Sequence, residues 1–404
     1  FTPTENLING KEYGQNWYPP NHFRPLVNWE LPDEELFETY LLGPMVQMTA
    51  LMMHEKRAHL AIMNAIGELC AQFSRGIVAE IRQMGVEKAI ATVEKYHKEL
   101  PGTEQNWYPQ ALEKIQSPEG QALYVNGAHN GKVGLITISR ESYNWDVDQE
   151  LNRVIDWLKQ EGIERVILTG DFHMSTQMVG ADTQEFFSAL EDKEEGFRIA
   201  YSWSKTARRL NKEFHCSVGI IVGKRCLGGM LELMSHCHYL LAREDCQIGM
   251  PEVTLPVIPG MEGCHWPFRK AKSEDWSRLL QFILEGVPLP AKETRGWLVD
   301  EAAPLNKILP LAWNLASGEE VSLKPRKLEE SSLNGFPSSP PPLSKAGETR
   351  EKAREAIFQT IQKSCSLTLD EALEVQARMS GDFMSSSLCQ KGVLGQNYSK
   401  TVQI

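Results

Sequence analysis

Two glutamates, Glu232 and Glu252, flank a strand-like run just after a glycine pair, Gly228 and Gly229, in the stretch GKRCLGGMLELMSHCHYLLAREDCQIGMPEVTLPVIPGMEG from Gly223 to Gly263. Two carboxyl groups converging on one pocket can take one proton and give another. The glycines precede an apolar run, Met230 to Met234, that reads as the opening of a helix, where the first N–H groups have no intrahelical acceptor. Without a side chain, glycine lets a ligand carbonyl approach such an amide closely, and a donor fixed there stabilises an oxyanion as it forms. Each residue alone has a plainer reading. A glutamate after an apolar helix start is ordinarily a solvated or capping side chain, and Gly229 by itself is only a turn.

In sequence order the residues carry more. Leu227-Gly228-Gly229-Met230-Leu231-Glu232-Leu233, the run YLLAREDCQIG, Met250-Pro251-Glu252-Val253 and Ile258-Pro259-Gly260 together resemble the signature of the crotonase family, the enoyl-CoA hydratases and isomerases. Upstream, VILTG at 166–170 followed by Gly180, Ala181 and Asp182 is similar to that family's first oxyanion segment. Leu284-Glu285-Gly286 through Gly296-Trp297-Leu298-Val299-Asp300 is similar to its tail. The resemblance covers about residues 130 to 310. It implies that Glu232 and Glu252 are the catalytic carboxyls and that the N–H groups of Ala181 and Gly229 are the oxyanion donors. It also places Met178, Val179, Gly180, Asp182, Gly228 and Glu262 beside the substrate. That substrate would be an acyl-CoA thioester, with coenzyme A entering as part of it and no separate cofactor or metal. Two glutamates held so close cannot both ionise freely, so one should have a raised pKa.

The chain departs from the family pattern in places. Gly228-Gly229-Met230 stands where relatives commonly have three glycines, and Gly260-Met261-Glu262-Gly263 where they have Gly-Ala-Gly-Gly. Glu262 is thus a third carboxylate expected near the pocket, able to redirect the reaction or repel an ordinary substrate. His238 replaces the family aspartate after the cysteine, and the stretch Asp171 to Ala181 is longer than usual, with Met174 and Met178 as pocket lining or core. Hydration is the reading adopted. The alternatives are another crotonase-type reaction (isomerisation, ring-opening hydrolysis or decarboxylation) and a non-catalytic scaffold, which would need none of the four site residues. The phosphates of coenzyme A require cations on an acidic protein, and Arg140, Lys224, Arg225 and Arg269 are candidates by position. His236, Cys237, His238, Cys264 and His265 are zinc-ligand types, but neighbours on a helix point in different directions.

The elements that must hold this site follow from periodicity. VGLITIS at 133–139 alternates as a strand, Asp146 to Gln160 is an amphipathic helix and VILTG is a buried strand, which makes a strand-helix-strand unit. Phe186 to Phe214 reads as one or two helices, and Val218 to Val222 as a strand. The fold class is α/β, a crotonase-like ββα spiral core at 126–323. An extended and α-helical region at 1–125 precedes the core. A Pro/Ser-rich linker at 324–348 and a C-terminal helical segment at 349–404 follow it. Helical spacing between Pro44 and Tyr96 predicts two or three helices there. QNWYP at 15–19 recurs at 105–109 and suggests two similar docking turns. The stretches NWYPQALEKI and GQALYV resemble the carboxy-terminal region of hydroxyacyl-CoA dehydrogenases, but with no glycine-rich dinucleotide loop they imply no NAD. LTLDEALEVQARMSGDFM resembles the crotonase closing helix, which in relatives covers a neighbouring active site and supports a trimer. A homotrimer or hexamer is the corresponding expectation, with a partner protein possible through the N-terminal helices.

Composition bounds the rest. At 404 residues the chain exceeds one typical domain, and a net charge of −11 without a dense Lys/Arg run argues against a nucleic-acid surface. No apolar run reaches bilayer length. Eight scattered cysteines without a CxxC pair, and no signal-like apolar start, fit a reducing cytoplasm.

Overall fold

The computed structural model describes residues 35–402 apart from 72, 74 and 173–176. The first QNWYP copy, with Trp17 and Tyr18, and Met174 lie outside the described residues. The chain's strands are β1 Val125–His129, β2 Gly134–Ile138, β3 Ser142–Tyr143, β4 Arg165–Gly170, β5 Gly180–Ala181, β6 Cys216–Ile221, β7 Arg225–Leu227, β8 Tyr239–Arg243, β9 Gln247–Gly249, β10 Leu289–Pro290 and β11 Glu301–Ala303. Ahead of them run helices α1 Gly43–His54, α2 Leu60–Ala71, α3 Ile77–Met84 and α4 Val86–Glu99. Among the strands lie α5 Trp145–Gln160, α6 Lys193–Lys212, α7 Gly228–Ser235, α8 Trp266–Lys270, α9 Trp276–Glu285 and α10 Ala291–Thr294. They are followed by α11 Leu305–Ser317, α12 Glu348–Cys365 and α13 Leu369–Met384.

The strands alternate between two roles. β2, β4, β6 and β8 lie side by side in parallel within a six-stranded sheet of order β1-β2-β4-β6-β8-β11, with β1 antiparallel at one edge. Each is followed by a short strand in a small second layer: β3 pairs with β5, and β7 pairs with β9. A helix then returns the chain, so β2-β3-α5, β4-β5-α6 and β6-β7-α7 are successive ββα turns of one spiral. β6 is buried along its whole length, as a parallel strand covered on both faces must be, which is why CSVGII shows no alternation. The short strands carry the function. Met178 N–H donates to the Arg225 carbonyl at 2.9 Å and Leu227 N–H to the Met178 carbonyl at 2.8 Å, so the segment entering β5 lies beside the segment entering α7.

Four helices, rather than two or three, fill 43–99. The glycines at 76 and 85 divide what periodicity alone reads as a longer run, and Gly85 adopts φ +90 between α3 and α4. Their apolar faces, with Val46, Ala50, Val78, Ile81 and Val93, are continuous with the core of the spiral. Ions reinforce that junction. Arg82 on α3 reaches Asp146 at 2.9 Å and Glu150 at 2.6 Å, both on α5, and Glu150 in turn accepts from the Tyr124 and Val125 amides at 2.7 and 2.9 Å. The second QNWYP copy docks between α1 and α4: Tyr108 stacks on His54 with ring centroids 3.8 Å apart, and Trp107 meets His97 edge-on.

Residues 324–347 form neither helix nor strand, yet Leu333 and Glu329 bond to the Cys365 and Arg269 carbonyls, strapping the segment to the surface. α13 opens with a capping box in which Thr368 and Glu371 satisfy each other's backbone amides. It then crosses α6 at a glycine pair. A Cβ on Gly196 would come within 2.7 Å of Gly381 Cα, and one on Gly381 within 2.4 Å of the Lys193 carbonyl oxygen. The closing helix therefore packs against α6 of its own chain. Among the described residues no helix is long and apolar enough to cross a membrane.

Candidate active site

The spiral brings Glu232 from α7 and Glu252 from the turn after β9 to one cavity of about 100 Å³, together with Ala181, Gly228 and Gly229. Val179 and Gly180 line its rim. Its apolar lining includes Phe186, Ile199, Trp203, Leu255, Ile258 and the closing-helix Met384.

Backbone geometry shows why the glycines stand where they do. Gly228, at φ +48, sits where a Cβ would come within 2.6 Å of Glu252 Oε1. Gly180, at φ +98, passes the Leu227 carbonyl so closely that a Cβ would come within 3.1 Å of it. The Ala181 nitrogen lies 3.4 Å from where a Gly229 Cβ would project. The two segments thus flank a slot that a side chain at 229 would fill. Gly229 is the second residue of α7, so the helix itself supplies no acceptor for its N–H.

The carboxyls are unequally held. Glu232 is 3 % exposed, and its Oε1 accepts from the Met261 and Gly263 amides at 2.9 and 2.7 Å. A Cβ at Gly263 would sit 2.5 Å from that oxygen. Glu252 is 8 % exposed, and its buried Oε2 has no hydrogen-bond partner among the described residues. Burial, then the neighbouring Glu252 charge, push Glu232 well above the ordinary glutamate value, although its two amide bonds pull the other way. Burial lifts Glu252 to about 7. The two titrate as a pair that holds a proton near neutral pH.

Several residues expected beside the substrate lie elsewhere. Met178 is core, bridged to Cys226, and Asp182 caps the following turn by accepting from Gln184 N–H at 3.1 Å while pairing with Arg140 at 2.9 Å. Glu262 is fully buried behind the cavity on Arg208 and His236 rather than facing it, because its positive φ turns the side chain into a basic cluster. Of the cations considered for coenzyme A, Arg140 is committed to Glu68 and Asp182. Arg269 is likewise committed, to the carbonyls of Glu329, Ser331, Ser364 and Leu367. Lys224 and Arg225 remain exposed. Of the metal-ligand types, His238 bonds Ser217 while Cys237 and Cys264 are buried, which pushes both thiols up and keeps them protonated. Trp203 and Met384 carry no motif. They lie on stretches read only as helical, and nothing in the sequence shows that these stretches border a cavity.

No family model matches the chain. A probable enoyl-CoA hydratase of Bacillus subtilis (strain 168) is 30% identical over 146 residues, which is 36% of this chain and 54% of that protein. The fatty acid oxidation complex subunit alpha of Shewanella loihica is 27% identical over 211 residues, 46% of this chain and 30% of that protein. The chain thus spans about half the length of the first of these relatives and less of the second. Among solved structures, a carnitinyl-CoA dehydratase from Mycobacterium thermoresistibile aligns at TM-score 0.48 and 16% identity, over 68% of this chain and 89% of that one. An enoyl-CoA hydratase from Rhodobacter sphaeroides 2.4.1 aligns at TM-score 0.48 and 17% identity, over 68% and 90%. Successive ββα turns bring two glutamates and two glycine-flanked amides to one pocket. Over part of its length this chain is thus similar to enoyl-CoA hydratases.

Proposed function

We propose that the protein adds water across the conjugated double bond of an enoyl-CoA thioester, as an enoyl-CoA hydratase-type lyase. The observation that carries this reading is the convergence of two buried glutamates, sharing a proton near neutral pH, with the slot between Gly229 and Ala181. The thioester oxygen would lie in that slot, accepting from the Ala181 and Gly229 amides as negative charge develops on it. In acyl-transfer enzymes the loss of one such donor costs about 3 kcal/mol of transition-state stabilisation. The ionised member of the pair takes a proton from water, and the oxygen adds to the β-carbon. The electrons move onto the thioester oxygen, and the resulting enolate takes its proton at the α-carbon from the protonated member. Water is thereby added and the pair still holds one proton.

A scaffold has no use for this arrangement, since burying carboxyls without countercharge is unfavourable. The acyl chain would lie against Phe186, Trp203 and Met384. Lys224 and Arg225 are the exposed cations of the original candidates for the phosphates. Coenzyme A enters as part of the substrate, with no further cofactor. A reducing compartment such as the cytoplasm fits eight unpaired cysteines, and assembly as a homotrimer or hexamer extends the family resemblance.

The test is a panel of enoyl-CoA thioesters followed by loss of absorbance of the conjugated bond, with product masses read in parallel. A gain of one water by the parent, with at least a 100-fold loss of rate in both Glu232→Gln and Glu252→Gln, is expected. A moved double bond at unchanged mass would make the protein an isomerase instead, and bound but unaltered thioester would return the scaffold reading.

A further inference from the structure

Glu262 has a backbone that disfavours it and a side chain that is fully committed. Its φ of +66 is a left-handed conformation that a glutamate adopts only under constraint. The side chain is completely buried. Arg208 of α6 grips it with Nε 3.0 and 2.9 Å from its two oxygens and Nη2 2.6 Å from Oε1, and His236 Nε2 lies 3.0 Å from Oε2. His265 Nε2 is 3.2 Å from Oε1 but is not aligned for a hydrogen bond. The Glu262 carbonyl accepts from the His265 and Trp266 amides at 3.1 and 2.8 Å, which anchors the start of α8.

The residues on either side are the two whose amides hold the candidate catalytic carboxyl: Met261 N–H and Gly263 N–H both donate to Glu232 Oε1. An amide pair converges on one oxygen only if the peptide units between them are turned as they are here. The same Arg208 reaches the closing helix, through Asp370 at 2.6 Å and the Leu369 carbonyl at 2.5 Å, and Gln376 of that helix donates to the Pro259 carbonyl at 3.0 Å. The turn is therefore clamped between α6 and α13.

We propose that Glu262 is a positioning residue, whose pairing with Arg208 and His236 locks the Met261–Gly263 turn so that its two amides aim the Glu232 carboxyl into the cavity. This rests on the hydratase reading and names a part of that site. In place of the conformational freedom of glycine, the chain holds the turn by an ion pair, and the pair also records whether α13 is docked. The groups facing Glu232 are Glu252, Glu262 and the buried Cys264 thiol. Those facing Glu262 are Arg208, His236 and His265, with Arg269, Asp370 and Lys212 beyond them.

The test compares the full-length parent with Glu262→Gly, which suits the left-handed backbone and leaves Arg208 paired to Asp370, and with Glu262→Asp, which keeps the charge. Thioester hydration is measured against pH, and the carboxyl titration of the glutamate pair is followed without substrate by carbon-13 NMR, assigned with Glu232→Gln. In Glu262→Gly, loosened amides stabilise the ionised carboxyl less. The Glu262 charge by itself raises Glu232, so its loss alone would lower the pair's titration; the expected result is at least a tenfold fall in kcat with KM little changed and a titration that instead rises by about one pH unit. Glu262→Asp should recover part of both. An unmoved or lowered titration in folded Glu262→Gly, with rate lost only in proportion to folded protein, overturns the proposal. If Glu262→Gly does not fold, an unmoved titration in Glu262→Asp whose grip on Arg208 is broken does the same. If the parent hydrates no thioester, the hydratase reading fails, while the titration still decides the positioning role.

Discussion

Burial lifts the Glu252 carboxyl from the ordinary 4.5 to about 7, and that shift has a consequence for stability. Below pH 4.5 the group is neutral in both folded and unfolded chains and exerts no effect. As pH rises from 4.5 to 7, the unfolded chain loses the proton while the folded chain keeps it, so stability falls by about 3 kcal/mol and stays lower above pH 7. Glu252→Gln should therefore be more stable than the parent at pH 8 and nearly equal to it at pH 4, as read by denaturant midpoints at the two pH values. A stability difference between the two proteins that is the same at both pH values would contradict the shift. Glu232, Glu252, Ala181 and Gly229 were legible because chemistry and backbone freedom restrict which residues can stand there, so the motif survives without neighbours. Arg140, Arg269 and Glu262 were not legible. Whether a charge faces a ligand or a partner depends on residues up to about a hundred positions away, as the bonds from Arg269 to the Ser364 and Leu367 carbonyls show.

At the scale of elements, the crossing of α6 and α13 decides the shape of the pocket. Their backbones approach because Gly196 faces Gly381, and Met384 of α13 and Trp203 of α6 both line the cavity. Gly381→Leu would put side-chain carbon into the Lys193 carbonyl and the Phe197 amide, which are 2.4 and 2.6 Å from the position of a Cβ. Overpacking of this kind costs about 1–3 kcal/mol. The expected outcome is a lower melting temperature together with faster proteolysis within 369–384, because the helix must lift. An unchanged proteolytic pattern would mean that the crossing tolerates a larger spacing. Periodicity gave the helices themselves, since Val147, Leu151, Val154, Ile155 and Leu158 repeat along one buried face of α5. It could not say where α13 would lie, because a capping box and an apolar face are satisfied equally by the chain's own α6 or by another copy's.

For the whole molecule, the question is whether the N-terminal helices form a domain of their own. The sequence suggests a boundary near 125, where helical spacing gives way to alternation, and that change of pattern is real. It marks a change of secondary structure and not a gap in the core, which runs unbroken from Val46 and Ile81 to Val154 and Leu168. Arg82 makes the junction electrostatic as well: its guanidinium is the partner of Glu150, whose side chain is 1% exposed and holds the first amides of β1. Replacing it with Met would strand a buried carboxylate at the entrance to the spiral, a loss of about 3–5 kcal/mol. Because helices and spiral share that core, the loss should appear as one calorimetric transition displaced to lower temperature in Arg82→Met. Two separating transitions, one unmoved, would instead show that the helices fold independently of the spiral core. A single transition would tie the stability of the glutamate pocket to helices lying well before its first motif.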